Sequence, residues 1–149
     1  MLSIGIACAM LAANCALPLA AHAALGQNVS SIDNDGARMH AVARIASTQR
    51  AYSVHQIALA SGTLVREYAA ANGTVFGVAW EGPTLPDLKT LLGSSFDVYL
   101  AASAVGRGNP LAVSGSELVV YSGGHLRAFS GYAYLPQALP EGVDPGAIQ

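Results

Sequence analysis

Two histidines, His55 and His125, are the residues in the strand-forming part of the chain best suited to chemistry. An imidazole can take or give a proton near neutral pH, and a carboxylate close by would orient it. Glu67 and Arg66 sit side by side in the run LVREY, so either histidine could meet them if its strand joins the same sheet. That set would suit a small hydrolase or transferase working through His55 or His125 with Glu67 and Arg66. The plainer alternative is a histidine at a strand edge or turn that bonds to backbone. Two histidines without a third ligand at metal spacing make a poor metal site, so no metal and no cofactor is expected.

Other routes to catalysis are thin. No Gly-x-Ser-x-Gly elbow is present, and Ser94, Ser95, Ser114 and Ser116 lie in no triad context. The carboxylates are dispersed, which disfavours a paired-carboxylate hydrolase. Ser122-Gly123-Gly124-His125 reads as a hairpin turn, not a phosphate cradle. Asp33-Asn34-Asp35-Gly36 has the look of a calcium loop, but the sixth and twelfth positions are Arg38 and Arg44 where Gly and Glu are needed. Those acids read instead as a solvated helix cap. Asn28-Val29-Ser30 and Asn72-Gly73-Thr74 match glycosylation sequons and read as a cap region and a turn.

Binding chemistry has better material. Tyrosine and tryptophan join an apolar body to a polar tip and suit surfaces that meet a partner. Tyr132 and Tyr134 are two apart, on one face of a strand, with Arg127 on the other. Trp80 completes the candidate binding set, although core packing is the commoner role for such a residue.

The elements that must position these residues begin with a meander. Ala51 to Gly82 holds three strand-like runs separated by Ala60-Ser61-Gly62 and by Ala70-Ala71-Asn72-Gly73. Asn-Gly between alternating apolar runs is a strong hairpin signal. In the third run Phe76, Val78 and Trp80 are expected on one face, with Val75, Gly77 and Ala79 on the other. The second run alternates Leu64, Arg66 and Tyr68 with Val65 and Glu67, and its inward face is ambiguous. Pro83 stops the sheet. Thr84 is a candidate N-cap with Asp87 three residues on, and Leu85, Leu88, Leu92, Phe96, Tyr99 and Ala102 recur at helical spacing. Gly93 predicts a kink or a break into two shorter helices. A short helix is expected over about Asp33 to Ser47. Strands at Glu117–Tyr121 and His125–Leu135 form a C-terminal hairpin, and the tail after Pro136 is expected to lie irregularly on the surface. The fold class is therefore α+β: an antiparallel sheet of about five strands, made of a three-strand meander, a helix and a C-terminal hairpin, with helices packed on one face.

The amino-terminal part reads as a processing segment. Ile4 to Leu19 is apolar, and Ala21-His22-Ala23 is an A-x-A cleavage pattern, so residues 1–23 are expected to be a signal peptide cut before Ala24. The stretch is too short and Ala-rich for a comfortable membrane span. Its n-region, Met-Leu-Ser, has no Lys or Arg. A lipoprotein signal ending at Cys15 fits less well, because Asn14 precedes that cysteine. Cys8 and Cys15 both fall in this segment, so the exported domain, residues 24–149, would rely on its core without disulfides. Net charge is −2, Lys89 is the single lysine and the arginines are scattered. That argues against nucleic acid and offers no polybasic membrane patch. The expected location is periplasmic or secreted.

Several strings together resemble one family: AYSVHQI, VREY, GTVFGVAWEGP with LPDL and LLG, and SGGHLRAF followed by AYLP. They are similar to the DUF2844 family of small exported proteobacterial proteins with no assigned function. The resemblance runs from Ala24 to about Ile148. It implies an exported single-domain bacterial protein and supplies no catalytic residues. Taken with the residues themselves, the expectation is a non-enzymatic envelope module that binds a protein partner or a small ligand, with the histidine-based hydrolase or transferase as the alternative.

Overall fold

The structure, a computed structural model, describes residues 25–105 and 110–149. The expected signal peptide, its cleavage point and residues 106–109 of the Gly106–Pro110 turn cluster lie outside the described residues. Seven strands run in chain order: β1 (Ala41–Thr48), β2 (Tyr52–Leu59), β3 (Leu64–Ala70), β4 (Val75–Gly82), β5 (Leu111–Ser114), β6 (Val119–His125) and β7 (Ala128–Tyr134). They form one antiparallel sheet in the order β1-β2-β3-β4-β7-β6-β5. Three α-helices, α1 (Ile32–Arg38), α2 (Leu88–Leu92) and α3 (Phe96–Val105), complete the α+β architecture.

The sheet has seven strands where about five were expected, and both additions are edge strands. The helix expected to reach Ser47 ends at Arg38. His40 takes a positive φ of 58°, which breaks the helix, and AVARIAST, with the β-branched Val42, Ile45 and Thr48, extends as β1. The other addition, β5, is only four residues long and gives too brief a pattern to read. The last hairpin also turns later than expected. Gly123 and Gly124 lie within β6, and the chain reverses at Leu126-Arg127, where Arg127 has a φ of 69°.

Each face of the sheet is covered by a different part of the chain. On the helix face, Leu25, Ile32, Leu88, Leu91 and Leu92 pack over Ile57, Val65, Val78 and Trp80. Fully buried leucines such as Leu91 and Leu92 contribute roughly 1.5–3 kcal/mol each. Asp87, not Thr84, caps α2: its carboxylate accepts from the amides of Lys89 and Thr90 and from the Thr90 hydroxyl. Thr84 is held instead by the Thr63 hydroxyl. The expected apolar stripe divides at Gly93: Leu88 and Leu92 are buried, whereas α3 contains no fully buried residue and Leu85 is exposed.

The opposite face is covered by the C-terminal tail, which forms a second core and is not merely laid on the surface. Ile148 packs with Tyr68, Phe76 and Ala79, and Tyr52 meets the Phe76 ring edge-on. A β-carbon on Gly77 would lie 2.9 Å from Ile148 Cδ1, so glycine makes room for this contact. Because both faces are covered, β3 buries Val65, Glu67 and Ala69 on one side and Tyr68 on the other. This is why its inward face was ambiguous. A bulge opposite Tyr68 inserts one extra residue in β4, where Tyr68 pairs with Gly77 and Ala69 with Val75. Phe76 is thereby turned to the tail face, while Val78 and Trp80 stay on the helix face, correcting the expectation that all three align.

Candidate functional site

The helix face holds a buried polar cluster. His55 and Glu67 are cross-strand partners in β2 and β3 and share this face. Helix α1 adds Asp35, and both Asp35 and Glu67 are 0% exposed. Arg44 of β1 lies opposite Ile57 on the same face and makes an ion pair with Asp33 in the first turn of α1. Asp35 is thus in the interior, not in a solvated cap.

Electrostatics set the state of this cluster. Burial pushes the Glu67 carboxyl up to about 8; the nearby Asp35 charge adds to the rise and Arg44 opposes it. Neither carboxyl oxygen has a hydrogen-bond partner. At neutral pH Glu67 is therefore held as the neutral acid, in a site without solvent contact. Burial, with the charge of Arg44, lowers the His55 pKa below its ordinary value. Its Nε2 is 3.1 Å from the Ser53 hydroxyl, and its Nδ1 is buried without a partner. The cluster can hold protons. Among the described residues no group of three or more His, Cys, Asp or Glu is placed to hold a metal ion.

The other proposed catalytic residues lie elsewhere. Arg66 points to the tail face, where it bonds Glu81 Oε1 at 2.7 Å and the Gln149 carbonyl at 3.1 Å. His125 is exposed at the end of β6. Four strand spacings, roughly 19 Å, separate β6 from β2. The structure thus brings His55 and Glu67 together and leaves Arg66 and His125 apart from them.

The four binding candidates divide in the same way. Trp80 is 2% exposed in the helix-face core, and a β-carbon on Gly131 would collide with its indole ring. Arg127 occupies the β6–β7 turn. Tyr132 and Tyr134, by contrast, sit on the tail face beside a residue that the spacing did not single out, Tyr121 of β6, the cross-strand partner of Tyr132. The three rings are close to parallel, with centroids 5.7 Å apart for Tyr121 and Tyr132 and 6.5 Å apart for Tyr132 and Tyr134. Their cross-strand neighbours in β4 are Ala79 and Gly77, and Ala112 of β5 faces Tyr121. Small residues on both sides leave a tyrosine shelf standing above the sheet.

Two grooves adjoin the tail on this face. One, of about 200 Å³, is lined by Tyr132, Tyr134, Pro145, Gly146, Ile148 and Gln149. The other, of about 540 Å³, lies between the β3–β4 turn and the Gln137–Pro140 segment. Asp35 and Tyr121 are the residues that sequence reasoning passed over. For Tyr121 the signal was hidden, since a hairpin turn at Leu126-Arg127 puts it level with Tyr132 and the glycines of β6 suggested an earlier turn. For Asp35 there was none, because nothing local distinguishes a buried acid from a capping one.

The fold and this surface define an antiparallel α+β protein whose two sheet faces are closed by helices and by a C-terminal tail. The chain belongs to the DUF2844 family, described as a protein of unknown function, whose model matches residues 21–148. Searches of curated proteins and of solved structures found no match. Among the described residues no helix is long and apolar enough to cross a membrane.

Proposed function

We propose that this protein is a non-enzymatic module, exported to the periplasm or beyond after removal of residues 1–23, that binds a partner through the tail face. The observation that carries this reading is the tyrosine shelf of Tyr121, Tyr132 and Tyr134, bordered by small residues and opening onto the groove beside Ile148 and Gln149. Clustered tyrosines supply much contact area at small entropic cost, which favours a binding role. The arrangement of polar residues on the other face supports a structural role there: Glu67 is sealed from solvent and neutral, and of the other catalytic candidates only His55 lies beside it, Arg66 being turned to the tail face and His125 standing four strands away.

Cross-linking in cells of the native organism, with the tagged full-length chain as bait and mass spectrometry as readout, tests the proposal. A reproducible partner whose cross-links map to the face around Tyr132 and diminish in Tyr132→Ala supports it. A folded, abundant bait that captures nothing through this face overturns it. Amino-terminal sequencing of the exported protein is expected to begin at Ala24, and an uncut amino terminus would remove the export part.

A further inference from the structure

We propose that the tyrosine shelf is a subsite for a neutral oligosaccharide. The inference rests on the tail face being the binding surface, and it adds the chemical class of the ligand.

Three features converge. The first is ring geometry. At centroid spacings of 5.7 and 6.5 Å, nearly parallel rings whose planes lie at van der Waals separation are offset sideways by roughly 4–5.5 Å. Neighbouring rings therefore cover only part of one another. Tyr121 is 37% exposed, and Tyr132 and Tyr134 are half-buried. A sugar ring presents a sheet of C–H groups, weakly positive at their hydrogens, and the negative face of an aromatic ring attracts them. An offset series of parallel rings offers successive stacking places to successive sugar units.

The second feature is charge. Tyr121, Tyr132 and Tyr134 share the tail face with Gly77, Ala79, Ala112, Ser114 and Ser130, none of them ionic. The groove alongside is lined by Pro145, Gly146, Ile148 and Gln149. The charged groups nearest in the strand register are Glu81, opposite Ser130, and Arg66, which are paired with each other at 2.7 Å; at the groove edge the Asp144 carboxylate accepts from the Gly146 amide, and His125 lies four residues from Tyr121 on the same face of β6. Arg127 stands five residues along the chain from Tyr132, roughly 16 Å if the strand is fully extended. Among the described residues no unpaired Asp, Glu, Lys or Arg stands on the strands of the shelf, which favours a neutral ligand there.

The third feature is the rim. Exposed Ser114 and Ser130 and the tyrosine hydroxyls supply donors and acceptors around the apolar centre, matching a ligand with hydroxyls around a C–H face. A proline-rich peptide is the competing occupant. Its pyrrolidine rings carry no hydroxyls, whereas a sugar also offers hydroxyls to the serine and tyrosine rim, so the sugar is the better fit.

The test is calorimetric titration of the full chain with cellohexaose, maltohexaose and chitohexaose, with a proline-rich decapeptide as comparison. At least one oligosaccharide is expected to bind. Tyr121→Ala and Tyr132→Ala are each expected to weaken it at least ~tenfold. Tyr132→Phe, which keeps the ring and safeguards the fold, should retain most of the affinity. Tyr99→Ala, outside this face on α3, should have no effect. Three results would overturn the inference: no heat with any of the three sugars, binding indifferent to Tyr121→Ala, or saturable binding of the decapeptide alone. If the sugars fail while cross-linking still captures a protein through Tyr132, the ligand class falls and the binding face stands. If both fail, both fall.

Discussion

Replacing Glu67 by Gln removes one titration from the core and keeps the side chain's shape. In the folded protein burial, reinforced by Asp35, raises this carboxyl from 4.5 to about 8. Between those two values the folded chain holds a proton that the unfolded chain has released, so raising the pH favours unfolding. The stabilising contribution is fully present below about pH 4.5 and is lost as pH climbs through about 8. The slope in that window is about 1.4 kcal/mol per pH unit. At pH 7 the accumulated cost is roughly 3 kcal/mol, and above pH 8 it approaches roughly 5 kcal/mol. Glu67→Gln cannot ionise and escapes this cost. Urea unfolding followed by circular dichroism, at steps from about pH 4 to about pH 9, measures the difference. The variant is expected to match the wild type at the acid end and to exceed it by roughly 3 kcal/mol at pH 7, a rise in Tm of roughly 10 °C. Parallel stability profiles for the two proteins, or a variant less stable at pH 7, would show that Glu67 is charged or satisfied in the folded state and would refute the reasoning.

Three further perturbations probe the supports of the two faces. Gly131→Ala forces a methyl group into the Trp80 indole and should cost about 2 kcal/mol; Trp80 is the single tryptophan, so its emission should shift to the red if the indole is displaced. Asp87→Ala removes the cap of α2 and should lower stability by about 1 kcal/mol in urea titrations, whereas Asp87→Asn should keep most of it. Gly77→Val drives a side chain into Ile148 and should release the tail, with a loss of about 1–3 kcal/mol and faster proteolysis after Leu139.

The central part of this architecture was legible because its patterns are local. The β3–β4 turn at Asn72-Gly73, the pairing of the meander and the break at Gly93 all follow from residues within a few positions of one another. The edges were not. Strand β1 is exposed along its whole length, so no inward-facing alternation marks it, and the preceding acids suggested that a helix would continue. The bulge that turns Phe76 away from Val78 is a property of the β3–β4 pairing and leaves no trace in β4 alone. For the candidate site, the pair Tyr132 and Tyr134 was visible from strand alternation. Its completion by Tyr121 depended on where the last hairpin turns, and the glycines of β6 concealed that point. The meeting of His55 with Glu67 follows from the hairpin register, but the burial of Asp35 above them depends on how α1 docks.

The clasp at the end of the tail also bears on how the molecule is assembled. The Tyr68 hydroxyl and the Arg66 guanidinium hold the backbone of Gln149 across separations of 81 and 83 residues, and β4 must wait for β7 to gain its second neighbour. A chain emerging amino terminus first can pair β1 to β4 early, yet Phe76 and Tyr68 have only the flank of Tyr52 for cover until Ile148 and the tail arrive. Closing such long loops is slow, and an uncovered apolar sheet face invites association with other chains in the interval. Docking of the segment from Ala138 to Ile148 therefore decides when this protein ceases to need protection from its neighbours.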